Sequence, residues 1–124
     1  MKQKLFLFLA GLLFILQACE KTEYIKSSPQ LEITVINENV VFVEGATVTL
    51  YNTKEDWKQK ENEVQSLQTD SKGQVFFEDL QEQKYYFFVE KGDMNNMADI
   101  AATAEPLKVG QLSQLLVQIM ENPF

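Results

Sequence analysis

The sequence contains no histidine, no arginine and a single cysteine, Cys19. Without histidine, the commonest general base and metal ligand is missing. One cysteine excludes an intrachain disulfide, a CxxC redox pair and a multi-thiolate zinc site. Cations are scarce as well: eleven lysines stand against 18 acids, a formal net charge of −7. That balance argues against nucleic acid as a partner, because phosphate binding runs on lysine and arginine. No Gly-x-Ser-x-Gly or Ser-x-x-Lys motif occurs, so a nucleophilic hydroxyl would have no activating base. Among 18 acids some pair falls at glycosidase spacing by chance, and a chain of 124 residues with short loops makes little cleft for it. We therefore expect no enzyme.

What is present begins at the N-terminus. Lys2 and Lys4 precede a twelve-residue apolar run, Leu5 to Leu16, interrupted only by Gly11. As a helix it reaches about 18 Å, short of a hydrocarbon core of roughly 30 Å. Its length suits the apolar region of a signal peptide instead. Leu16-Gln17-Ala18-Cys19 follows and resembles the bacterial lipobox, with Gln17 at a position where small residues are usual. The resemblance implies cleavage after Ala18 and a lipid thioether on the Cys19 thiol, with the bilayer as one partner. Two or more acyl chains anchor stably where one does not. Removal of residues 1–18 takes two lysines and no acid, leaving nine lysines against 18 acids. The residue after Cys19 is Glu20, not aspartate, and we expect the outer membrane rather than the inner.

Residues 19–30 carry the cysteine and a polar stretch with Ser27-Ser28-Pro29, which reads as a tether. Residues 31–124 read as one domain. Strand patterns dominate it: Leu31, Ile33 and Val35 alternate with Glu32 and Thr34, and Ala46, Val48 and Leu50 with Thr47 and Thr49. Further strands are expected over 40–43, 64–69, 75–78, 85–90 and 115–120. Such spacing predicts an antiparallel β-sandwich. Two stretches leave helix and strand open, 53–62 and 111–120. In the first, Thr53 stands three residues before Asp56 in a helix-capping arrangement. The turn Asp70-Ser71-Lys72-Gly73 is a stronger signal: Asp bonds its own backbone two residues on, and Gly closes a bulged hairpin.

Leu31-x-Ile-x-Val35, Gly45-Ala-x-Val-x-Leu50, Thr69-Asp-x-x-Gly73, Phe77-x-x-Leu80 and Tyr85 occur in that order. Together they resemble the carboxypeptidase regulatory-like, or prealbumin-like (transthyretin-like), family over residues 31–91. The resemblance implies a seven-stranded antiparallel Greek-key sandwich, and hence a strand over 115–120. It implies an accessory or interaction module more than a particular chemistry. The pattern is also similar to the B-type repeats of collagen-binding adhesins, some of which form a Lys–Asn cross-link promoted by a buried Glu. Glu90 falls at that Glu position and Asn122 near the amide position. Asn37 stands where the lysine belongs, so the nucleophile is missing.

Trp57, Tyr86 and Phe88 are the candidate contact residues. Alternation sends Tyr85 and Phe87 to one face of a strand and Tyr86 and Phe88 to the other. The second pair is either an exposed contact surface or, with Trp57 and Phe76, a covered satellite cluster. Asp93, Asn95, Asn96 and Asp99 crowd one stretch but lack the order of a calcium loop, and we expect neither metal nor cofactor. The functional expectation is a non-catalytic, lipid-anchored binding or scaffolding module of the cell envelope, with an envelope protein as partner. The alternative is a carbohydrate- or small-ligand-binding lipoprotein, whose rings would line an open groove and take a glycan.

Overall fold

A computed structural model of the chain describes residues 28–98 and 101–121. The leader, Cys19 and most of the tether lie outside these residues, as do Asp99 and Asn122. Among the described residues ten elements follow one another: β1 (Gln30–Ile36), β2 (Thr47–Tyr51), α1 (Lys54–Gln59), β3 (Gln65–Gln68), β4 (Gln74–Phe77), β5 (Tyr86–Lys91), β6 (Met94–Asn95), β7 (Ala101–Ala102), β8 (Leu112–Gln118) and β9 (Met120–Glu121). None of the described helices is long and apolar enough to cross a membrane.

The strands form two sheets. One has the order β4-β1-β8; the other runs β3-β2-β5-β6-β9, with β7 also paired to β5. Alternation explains the packing. Leu31, Ile33 and Val35 of β1 are fully buried, as are Val48 and Leu50 of β2 and Val89 of β5. With Val75, Phe77, Tyr85, Phe87 and Val117 they fill the space between the sheets. Each such side chain contributes about 1.5–3 kcal/mol relative to exposure. The Tyr85 ring belongs to this core, and its hydroxyl accepts the N–H of the exposed Gln81 at 2.9 Å.

The expected Thr-Asp-x-x-Gly turn ties the sheets together. The Thr69 hydroxyl is buried, donates to the Val43 carbonyl at 2.6 Å and accepts from the Ala46 N–H at 2.9 Å. Asp70 Oδ1 accepts from the N–H groups of Lys72 and Gln74 at 2.8 and 3.0 Å. Gly73 has φ +74°, and a Cβ there would lie 2.8 Å from the Val35 carbonyl oxygen and 3.1 Å from the Val43 nitrogen. The position therefore needs glycine for both backbone conformation and space.

Three expectations need correction. The sandwich is not wholly antiparallel: β1 and β8 pair in parallel, Gln30 opposite Leu112 through Ile36 opposite Gln118. Side-chain alternation records which face a residue occupies but not the direction of its neighbour, so the pattern was silent on this. Residues 40–43 do not form a strand; a single bridge joins Phe42 to Ile36. The Asn37 side chain accepts the N–H groups of Asn39 and Val41, and Val40 takes φ +61°, so the run curls into a loop with Val40, Val41 and Phe42 exposed. The seven expected strands thus do not map one to one onto the structure, which adds the two-residue strands β6, β7 and β9. Both open stretches are resolved: 54–59 is helical, and 112–118 is extended with Ser113, Leu115 and Val117 turned inward.

Candidate functional site

The helix α1 sits against the outer face of the second sheet. Thr53 caps it: the hydroxyl accepts the Asp56 N–H at 3.0 Å, as the spacing predicts. Lys60 ends it in the left-handed conformation, φ 58°. This short helix swings Trp57 onto the sheet, where it meets Tyr51 and Phe88, with Tyr86 packed at the margin. Trp57 and Phe88 meet edge to face, ring centroids 6.3 Å apart. The Trp57 indole N–H donates to the Phe87 carbonyl at 2.8 Å.

Lys60 folds back over the cluster. Its Nζ donates to the Trp57 carbonyl at 2.7 Å and lies 4.4 Å from the Trp57 ring centroid and 4.1 Å from that of Phe88. Burial pushes its ammonium below the ordinary 10.5, and the Glu90 charge opposes that shift. The two ring faces return part of the lost hydration as cation–π attraction. Burial pushes the Tyr51 hydroxyl above its ordinary 10.0, with the charges of Glu63 and Glu90 acting in the same direction.

Of the three candidate contact residues, Trp57 and Phe88 are therefore covered, at 3% and 9% exposure. The structure realises the satellite cluster rather than an open aromatic face, because α1 and the Lys60 stem lie over the sheet. Its membership also differs from the expected one. Tyr51 belongs to it, whereas Phe76 stands 41% exposed on the other sheet. Tyr86 alone of the three is half-buried and faces an open depression of about 730 Å³. Asn52, Thr53, Lys54, Gln83, Lys84 and Pro106 complete its lining. Gln83 Nε2 donates to Asn52 Oδ1 at 2.6 Å, which leaves the Asn52 Nδ2 and the Gln83 side-chain Oε1 without a protein partner among the described residues. The depression thus gathers an aromatic residue, two side-chain amides and two lysines around one opening. Sequence reasoning missed Asn52, Gln83 and Pro106, which come from three separate loops and share no local pattern.

Asn96 has a structural task. Its Oδ1 accepts the Val89 N–H at 2.9 Å, and its Nδ2 donates to the Phe87 carbonyl at 3.1 Å. The side-chain amide stands in for a strand residue between β6 and β7. Asn95 Oδ1 accepts the Met97 N–H at 2.9 Å. Glu90 is exposed at the end of β5, and Asn37 shapes its own loop. At the pairing of β1 with β8, the inward neighbours Ile33, Val35, Leu115 and Val117 are all apolar.

No protein-family model matches the chain, and no curated protein matches its sequence. Solved structures do. The chain is similar to a streptococcal ancillary pilin, with 16% identity over 83% of this chain and 34% of that one, at a TM-score of 0.60. It is similar to the pilus 2b backbone protein of group B streptococcus, with 16% identity over 77% of this chain and 42% of that one, at a TM-score of 0.57. It is also similar to the TIE protein of Bacillus anthracis, with 18% identity over 77% of this chain and 17% of that one, at a TM-score of 0.55. The chain spans less than half the length of each of these proteins. At such identities the likeness establishes the fold, a two-sheet β-sandwich.

Proposed function

We propose that this chain is a non-catalytic binding or scaffolding module held at the cell envelope by a lipid on Cys19. In this reading residues 1–18 are a signal peptide, 19–30 the lipidated tether, and 31–124 a sandwich of prealbumin-like Greek-key build at the outer membrane. The observation that carries the binding reading is Tyr86. Its ring opens into a depression that places Lys54 and Lys84 together on an otherwise acidic chain. An aromatic platform beside two ammonium groups suits an acidic segment of an envelope protein, because the ring supplies area at low entropy cost and the lysines supply steering. The likeness in fold to pilins supports a module that works by being held in place.

The side-chain Nδ2 of Asn52 and Oε1 of Gln83 favour a second reading, a glycan seated on Tyr86. The two readings separate cleanly. Chemical cross-linking in intact envelopes, followed by recovery of wild-type protein and a Tyr86→Ser variant, tests the first. Loss of a cross-linked protein partner in the variant, with unchanged thermal stability, is the expected result. Equal recovery from both would remove Tyr86 as the contact. A glycan array probed with the same pair tests the second.

A further inference from the structure

We infer that the free edge of β8 is a self-association surface, at which a second copy of this chain adds its own β8 in antiparallel register. The backbone gives the first argument. The Gln30 N–H donates to the Gln111 carbonyl at 3.1 Å, and the Ile119 N–H donates to the Ile36 carbonyl at 2.9 Å. Odd-numbered residues of this strand therefore bond to β1. Alternation turns the N–H and C=O groups of Leu112, Gln114, Leu116 and Gln118 to the opposite side, where no described strand pairs with β8.

This edge carries none of the usual guards. Exposed edges are protected by charge, proline, bulges or brevity. β8 is seven residues long, and Val109 to Met120 holds no charged residue and no proline. The other edge strands among the described residues are shorter: β3 and β4 have four residues each and β9 has two. Leu112 and Leu116 stand 44% and 63% exposed. No described residue fills the space beside the edge. A cleft of about 280 Å³ separates Leu115–Gln118 from Ala101 and Ala102, and another of about 320 Å³ separates Ser113–Leu115 from Thr103–Pro106.

Charge selects the occupant. Two copies of a chain with net charge −7 repel over most approaches, and the uncharged strip is where they meet without like charges opposed. A two-fold axis through Leu115 satisfies the backbone parity. Gln114 then faces Leu116 of the second copy, and Leu112 faces Gln118, each pair exchanging both backbone bonds. Leu115 faces its own equivalent at a non-hydrogen-bonded pair, where the two clefts meet. The result joins two three-stranded sheets into one continuous sheet.

The test uses the mature lipidated protein, purified in detergent and followed by sedimentation velocity across a hundredfold concentration range. Wild type is expected to pass from monomer to dimer. Leu116→Pro removes an outward N–H that the fold does not use, and proline is tolerated on such an edge; it should weaken dimerisation at least tenfold while leaving the circular dichroism spectrum unchanged. If that variant is unfolded, Leu116→Lys serves in its place. Leu115→Cys, oxidised in native membranes, should form a disulfide-linked dimer, whereas Gln111→Cys should not. A wild type that stays monomeric throughout, association with another protein in place of self-pairing, or a dimer indifferent to both Leu116 variants would overturn the inference.

Discussion

The indole N–H of Trp57 donates to the carbonyl of Phe87, 2.8 Å away and 30 residues along the chain. That carbonyl also accepts from Asn96 Nδ2 at 3.1 Å. One backbone oxygen of β5 thus fixes both the helix that covers the outer face of the sheet and the loop that seals its edge.

Trp57 is the only tryptophan, so fluorescence reports on this bond directly. Its emission is expected to be blue-shifted relative to the denatured protein and resistant to acrylamide. Trp57→Phe should cost about 1 kcal/mol for the lost hydrogen bond, and Trp57→Ala about 3–5 kcal/mol as a cavity opens. Free access of the quencher in the folded protein would contradict the covered cluster.

Asn96 substitutes for missing strand pairing, and its removal leaves the Val89 N–H buried without a partner. Asn96→Ala should destabilise by about 1–3 kcal/mol. Hydrogen exchange at the Val89 amide should accelerate in the variant more than exchange in β1. Equal protection in both proteins would mean that another group satisfies that donor.

Two glycines in the left-handed region separate strain from crowding. At Gly92, φ +60°, an added Cβ meets nothing within 4 Å. Gly92→Ala should cost about 1–2 kcal/mol, the backbone penalty alone. Gly73→Ala carries the same penalty and adds the 2.8 Å approach to the Val35 carbonyl oxygen. It should be the more damaging of the two in urea denaturation.

The Asp70 carboxyl is held below its ordinary 3.8 by hydrogen bonds from the backbone N–H groups of Gln74 and Lys72, in that order of effect. A lowered folded value means that the contribution is complete above 3.8 and is lost as pH falls through the folded value. Asp70→Asn keeps an acceptor but no charge. The melting-temperature gap between wild type and variant should be widest near neutrality and should narrow as the solution becomes more acidic than pH 4. A gap independent of pH would show that the carboxylate charge contributes nothing.

Much of the sandwich is legible in the sequence, for reasons that differ by element. Period-two alternation places Leu31, Ile33, Val35, Val48 and Leu50 inward, because a half-buried strand must alternate. The Thr69-Asp-x-x-Gly73 turn and the Thr53 cap are readable because their hydrogen bonds are local. The parallel pairing of β1 with β8 is not readable, since it joins residues some 80 positions apart. The loop at 40–43 misleads because three of its four apolar side chains, Val40, Val41 and Phe42, serve no core, and only Val43 is buried. Composition also cannot separate a covered ring from an exposed one. Lys60 decides the fate of Trp57 and Phe88, and its path over them depends on a left-handed helix end three residues beyond Trp57.

The central claim, a module that works by being anchored, rests on the Cys19 thiol. Labelled palmitate fed to growing cells, followed by isolation of the protein, tests it most directly. The account predicts label in the wild-type protein, a mature N-terminus at Cys19 and recovery in the membrane fraction, all lost in Cys19→Ala. Unlabelled protein with a free thiol, or a chain that keeps residues 1–18, would contradict it.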